Sequence, residues 1–245
     1  MKTKLTLFVA VLAFCLQQGY AQDKAKIDPF LLKKGLAAHY PFNGNSLDES
    51  GNGNHAGVSG ARLTIDRHNQ KNGAYKFSEQ LDWVRSKTFN KAFDQFTFSV
   101  WAFPEATKKG EIMNTFILQN PHEKKGIGKA PPHQYRGLFY FKSRCRFAYG
   151  DKWFDVGMKP KQWTHCVGTY DGKTAKLYIN GSLAGQLKHA GKPISSSGYD
   201  ATVQIGSSQE INYMVGSIDD VRIYNRALSA EEVKALYDLE KPKGK

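Results

Sequence analysis

The sequence predicts an all-β fold, a two-sheet antiparallel sandwich closed by one short C-terminal helix. Three observations predict it. Short runs rich in Val, Ile, Thr, Tyr, Phe and Trp recur along the chain, parted by clusters of Gly, Asn, Asp and Pro. Apolar residues alternate in Phe96-Thr97-Phe98-Ser99-Val100 and in Lys176-Leu177-Tyr178-Ile179, the period of a strand with one buried face. Strand runs follow one another without intervening helices, which argues against βαβ units.

The elements follow in order. Lys2 and Lys4, the apolar run 5–16, and small residues at Gly19 and Ala21 read as a secretory signal peptide over 1–21, cut after Ala21. Cys15 raises the option of a lipid anchor, but Phe14 stands where such motifs want a small residue. No later stretch is long and apolar enough for a membrane helix. A polar leader covers 22–35, one domain 36–239, and a basic tail 240–245. Strands are expected at 36–42, 74–77, 83–86, 96–103, 112–118, 137–141, 144–149, 163–170, 175–179, 182–187, 202–205 and 216–224. Asn180-Gly181 and Asp171-Gly172 are hairpin signals, because these residues accept positive φ. Segments 105–110 and 120–136 read as long loops. Ser229 with Glu232 three residues on forms a capping box, followed by Val233, Leu236 and Tyr237 on one helix face.

Charge sets the partner class. The 245 residues carry 35 basic and 22 acidic side chains, a net +13 that falls to +11 once Lys2 and Lys4 are removed. An exported basic chain favours acidic partners, anionic polysaccharide above all. Export and the absence of a nucleic-acid motif argue against nucleic acid. Cys145 and Cys166 form either one disulfide or two core thiols.

Four stretches carry a resemblance. The first runs Ala38-His39-Tyr40-Pro41-Phe42-Asn43-Gly44-Asn45 into Asp48-Glu49-Ser50-Gly51-Asn52-Gly53-Asn54-His55. The second is Phe96-Thr97-Phe98-Ser99-Val100-Trp101-Ala102. The third is Trp163-Thr164-His165-Cys166-Val167-Gly168-Thr169-Tyr170-Asp171-Gly172 with Leu177-Tyr178-Ile179-Asn180-Gly181. The fourth runs from Gly216-Ser217-Ile218-Asp219-Asp220 through Val221-Arg222-Ile223-Tyr224 to Asn225-Arg226-Ala227-Leu228-Ser229. Together they resemble the laminin-G-like, concanavalin-A-like jelly roll of exported bacterial proteins, over roughly 36–239. The resemblance implies two antiparallel sheets, a concave face, often a structural calcium ion, and binding of glycans or proteins. Fold alone does not fix activity.

Calcium takes six to eight oxygens. The resemblance brings the Asn43, Asn45 and Asp48 loop to the last strand, so Ca2+ is expected on Asp48 and Asp219 with Asn43 and Asn45. The competing reading gives the loop Asx turns and pairs Asp219 with an arginine or a backbone N–H. Alternation places Asp219 and Asp220 on opposite faces. The seven histidines lack zinc-ligand spacing. No strand carries the paired carboxylates of a glycosidase, and no nucleophile elbow or P-loop is present. A lyase would need a Tyr or His base with Arg or Gln, without a matching motif here.

Binding remains. The segment 133–153 is dense in aromatic and basic residues. Aromatic faces stack on sugars, and arginine forks grip carboxylate or sulfate. The expected ligand residues are Arg136, Arg144, Arg146, Tyr149 and Trp153, with Arg144 and Arg146 on one face. Trp101 and Trp163 are assigned to the core. A cell-surface protein-interaction domain and a polysaccharide lyase are the alternatives.

Overall fold

The computed structural model describes residues 28–79, 81–86, 93–105, 114–122, 136–188, 200–208 and 212–243. The expected signal peptide, the first part of the leader, most of the two long loops, and the end of the basic tail lie outside these residues.

A 3-10 turn at Pro29–Lys33 leads into the strands. In chain order they are β1 (Leu36–Tyr40), β2 (Ala56–Ser59), β3 (Arg62–Thr64), β4 (Ala74–Phe77), β5 (Trp83–Ser86) and β6 (Phe96–Pro104). Then come β7 (Asn114–His122), β8 (Arg136–Phe141), β9 (Arg144–Tyr149), β10 (Lys152–Gly157), β11 (Thr164–Tyr170) and β12 (Thr174–Ile179). The last are β13 (Ser182–Lys188), β14 (Asp200–Ile205), the short pair β15 (Ser207–Ser208) and β16 (Asn212–Tyr213), and β17 (Gly216–Tyr224), before helix α1 (Ala230–Glu240).

Two antiparallel sheets form the sandwich. One has the order β13-β12-β11-β6-β17-β4-β3, with β1 also paired to β17; the other has the order β10-β9-β8-β7-β14-β5-β2. Phe42, Phe77, Phe98, Phe116, Leu138 and Val203 belong to the apolar layer between them. Strand β10 was not among the sequence-expected strands, and it carries Trp153.

The sheets meet along facing pairs on β9 and β11. The Tyr149 and Tyr170 rings stack at 4.9 Å. Two residues earlier on each strand, Phe147 lies on Gly168, where an added Cβ would stand 2.6 Å from the ring. Two residues earlier again, Cys145 and Cys166 are buried free thiols, and Cys166 Sγ donates to Met158 Sδ at 3.7 Å. Gly168 is therefore a close-approach glycine: any side chain there pushes the sheets apart.

The Asn180-Gly181 and Asp171-Gly172 turns form as expected, with φ of 50° and 76° at the first. The β8–β9 hairpin turns through Lys142 and Ser143 at φ 51° and 57°. That conformation favours Asn and Gly, so this turn carried no sequence signal.

Helix α1 starts at the expected capping box, with both Ser229–Glu232 bonds made. It buries Val233, Leu236 and Glu240 against the outer face of the first sheet. Trp101 is buried there, stacked on His165 at 5.0 Å and on Tyr237 at 5.8 Å. Trp163 corrects its core assignment: it is only half-buried and tilts against Phe103.

Candidate functional site

Period-two geometry sorts the β9–β10 hairpin into two faces. The cross-strand pairs are Arg144–Gly157, Arg146–Asp155 and Ala148–Trp153 on one face, and Cys145–Val156 and Phe147–Phe154 on the other. The second set joins the core, so the first points away from the sandwich.

On that outward face the charged groups are ordered. Asp155 accepts from Arg146 Nε at 2.7 Å and Nη2 at 3.1 Å, a bidentate fork. Thus fixed, the Arg146 guanidinium lies 3.9 Å from the centre of the Trp153 ring, close cation–π contact. Arg144 donates Nη2 to the Asp155 carbonyl at 3.2 Å. Its side chain is 51% exposed, and Trp153 is 52% exposed. The three expected residues Arg144, Arg146 and Trp153 are thus brought together. Asp155, which sequence reading missed, organises them. The signal was present: Asp155 stands two residues from Trp153 and shares its face.

The other two expected ligand residues are corrections. Tyr149 is fully buried in the core layer, because its odd separation from Arg144 and Arg146 turns it inward. Burial and the nearby Tyr170 push its phenol up to about 12. Arg136 is 0% exposed, with its guanidinium over the Phe96 ring at 5.2 Å and Nη1 donating to Gln119 Oε1 at 3.3 Å. Burial pulls it down to about 10, against the opposing effect of Asp94. Neither side chain reaches a ligand on the outward face.

The expected calcium residues meet protein donors instead. Asp48 Oδ1 accepts the main-chain N–H groups of His39 and Ser50, and Oδ2 accepts that of Asn54. Burial disfavours the charge, yet these N–H groups hold the carboxyl below its usual value. Asn45 Oδ1 caps an Asx turn by accepting Leu47 N–H, and Asn45 Nδ2 donates weakly to the Asn43 carbonyl. Asp219 is bonded to Arg67. A carboxylate ringed by N–H donors and another held by a guanidinium do not fit a calcium ion, which needs their oxygens. The alternation expected of Asp219 and Asp220 is also corrected. A bulge between Asp219 and Arg222, with Asp220 at φ 46°, turns both carboxylates onto Arg67.

The buried ionic cluster under α1 is structural. Glu240 receives Arg222 Nε at 2.5 Å and Trp101 Nε1 at 2.9 Å, while its carbonyl accepts Arg67 Nε at 2.8 Å. His39 Nε2 lies 2.8 Å from Asp220, and His165 Nε2 lies 2.8 Å from Ser99 Oγ. These groups tie β1, β6, β17, the Arg67 turn and the helix end together.

Residues 78–234 match the family model Laminin_G_3, described as the concanavalin A-like lectin/glucanases superfamily. No curated protein matches the chain. Among solved structures, domain 4 of AbnA, a GH43 extracellular arabinanase from Geobacillus stearothermophilus in complex with arabinotriose, has a TM-score of 0.63. It is 21% identical, over 82% of this chain and 98% of that one. Botulinum neurotoxin type C, whose cell entry is described as dependent on interaction with two ganglioside molecules, has a TM-score of 0.63 at 16% identity. The match covers 86% of this chain and 53% of that one. The binding domain of Paraclostridial Mosquitocidal Protein 1 has a TM-score of 0.62 at 17% identity, over 85% and 53%. The chain spans about half the length of these two toxin chains. At such identities the likeness is one of fold. The strand order, the two-sheet core and a family match over most of the described chain agree: this protein belongs to the concanavalin A-like lectin/glucanases superfamily.

Proposed function

We propose that this chain is an exported glycan-binding module whose ligand is an anionic polysaccharide. The observation that supports it is the outward face of the β9–β10 hairpin, where an exposed indole lies against Arg146, itself held in place by Asp155, with the exposed Arg144 on the same face. An indole stacks on the apolar side of a sugar ring while guanidinium groups take its carboxylate or sulfate. Support from the fold is of the same kind: the arabinanase domain is seen with arabinotriose, and the neurotoxin interacts with gangliosides.

Titration calorimetry against acidic and neutral polysaccharides tests this. Binding is expected for acidic polymers, weaker as salt rises, and different among polymers of equal charge density. Indifference to polymer structure at equal charge, or no binding to any acidic glycan, contradicts the proposal. A chelator is expected to leave the affinity unchanged, since Asp48 and Asp219 already have protein partners.

Export rests on the 1–21 leader, and the mature protein is expected to begin at Gln22 on N-terminal sequencing. The reading extends to a Cys145–Cys166 disulfide formed in an oxidising compartment, which mass measurement without reductant would show as the loss of two hydrogens.

A further inference from the structure

The Trp153 face does not stop at Asp155. Continuing along β10 on the same face, the next residue is Gly157, paired with Arg144. Gly157 also lines a cleft of about 500 Å³ bordered by Ser143, Lys159, Gln162, Thr164 and Asn180. The cleft and the arginine–indole face therefore share Gly157, which pairs with Arg144.

The cleft is suited to a sugar. Met158, Pro160 and Ile179 supply apolar wall. Lys159 supplies a positive charge, and Gln162 and Asn180 supply amides. Asn180 Oδ1 accepts the His165 N–H at 3.0 Å, which leaves its Nδ2 as the group that can donate to a ligand. The rim is held in place by backbone of unusual conformation. Lys142, Ser143 and Lys161 all have φ between 51° and 58°, and Met158 N–H donates to the Ser143 carbonyl at 2.9 Å. Such conformations persist only where the surroundings impose them. An added Cβ at Gly157 meets nothing within 4 Å, so a larger side chain there enters open space beside the cleft without a clash.

We infer that the outward face and the cleft are two subsites for one acidic oligosaccharide, which lies along β10 with one sugar on Trp153 and another in the cleft by Lys159. This rests on the glycan reading above and adds a length requirement to it. Four residues of strand separate Trp153 from Gly157, roughly 13 Å, so the occupant of both subsites has about three or more sugar units.

Binding of galacturonate oligomers with two and with six units tests the inference, alongside chondroitin sulfate fragments of matched length to separate carboxylate from sulfate recognition. The wild-type protein is expected to bind the six-unit chain of the preferred class at least tenfold more tightly than the two-unit chain. Gly157→Leu fills open space and preserves the fold, so it is expected to erase most of that length advantage. Lys159→Ala is expected to weaken the long chain at least threefold. Lys173→Ala removes one charge at the distant β11–β12 turn and is expected to change neither. Equal affinity for both lengths, or a length advantage that survives Gly157→Leu, overturns the two-subsite arrangement. If Trp153→Ala still weakens binding in that case, the glycan reading itself stands. If no oligomer of either class binds the wild-type protein, both fail together.

Discussion

Asp155 takes two donors of Arg146 and so parks the guanidinium on one side of the Trp153 indole. The other side of the ring and Arg144 are what remain for a ligand. Trp153→Ala should weaken acidic-glycan binding at least tenfold, measured by calorimetry, with little change in the urea midpoint because the side chain is half exposed. Asp155→Asn removes the competing anion beside both arginines. It is expected to tighten binding of acidic glycans several-fold while costing about 1 kcal/mol of stability or less; weaker binding would mean that Asp155 serves the ligand by positioning Arg146. The grouping of Arg144, Arg146 and Trp153 was legible because these residues carry recognisable chemistry within one short segment. Tyr149 was misplaced by attention to residue type over parity. Arg136 was misplaced because arginine is rarely buried, and its neighbours Phe96 and Gln119 are far away in sequence.

Helix α1 shows what local sequence can and cannot carry. Its start is written in Ser229 and Glu232. Its buried face also keeps helical period, since Val233, Leu236 and Glu240 stand at i, i+3 and i+7. A glutamate in that series reads as solvent-facing, because its partners Trp101, Arg67 and Arg222 come from three other parts of the chain. Glu240→Ala leaves the Arg222 guanidinium without its closest carboxylate partner and is expected to cost about 3–5 kcal/mol. Urea unfolding measures this, and hydrogen exchange should show α1 opening before the sheets. A loss below 1 kcal/mol would mean that the helix is held by its apolar residues alone. The bulge at Asp220 was equally hidden: regular alternation is the default reading of a strand, and only the switch of β17 from its β4 pairing to its β1 pairing reveals the extra twist.

At the scale of the whole molecule, the buried cluster sets the response to pH. Burial and the Arg67 charge pull His165 from 6.5 down to about 3. It stays neutral in the fold and takes up a proton on unfolding, so stability falls as pH drops from 6.5 towards 3. Burial and Asp220 raise Glu240 from 4.5 to about 7. There the native state binds the extra proton between 4.5 and 7, so this stabilisation is full below 4.5 and is lost as pH rises through 7. Burial likewise raises Asp219 from 3.8 to about 8 in spite of Arg67, so across 4.5 to 6.5 the protons kept by Glu240 and Asp219 outweigh the one taken up by unfolded His165. Between 3.8 and 4.5 Asp219 and His165 offset each other, and below 3.8 only the His165 loss continues. Asp220 adds to it: burial disfavours its charge, but His39, Arg222 and Arg67 hold it well below its usual 3.8. Urea midpoints should therefore rise as pH falls from 6.5 to 4.5, level off, and drop below about 3.8. His165→Gln should make that drop shallower, and an unchanged slope in the variant would show that His165 does not carry it.

The two-sheet architecture was readable from strand runs and turn residues because both obey short-range rules. Which face is proposed for the glycan depended on knowing that β10 exists and that its partner is β9. The most direct measurement is a titration of the isotopically labelled protein with an acidic oligosaccharide, following the four tryptophan indole N–H resonances. The Trp153 resonance is expected to shift and saturate with the ligand, together with backbone signals of Arg144, Arg146 and Asp155, while Trp101 under α1 stays still. Saturable shifts centred elsewhere, with Trp153 unmoved, would contradict the assignment of this face as the glycan site.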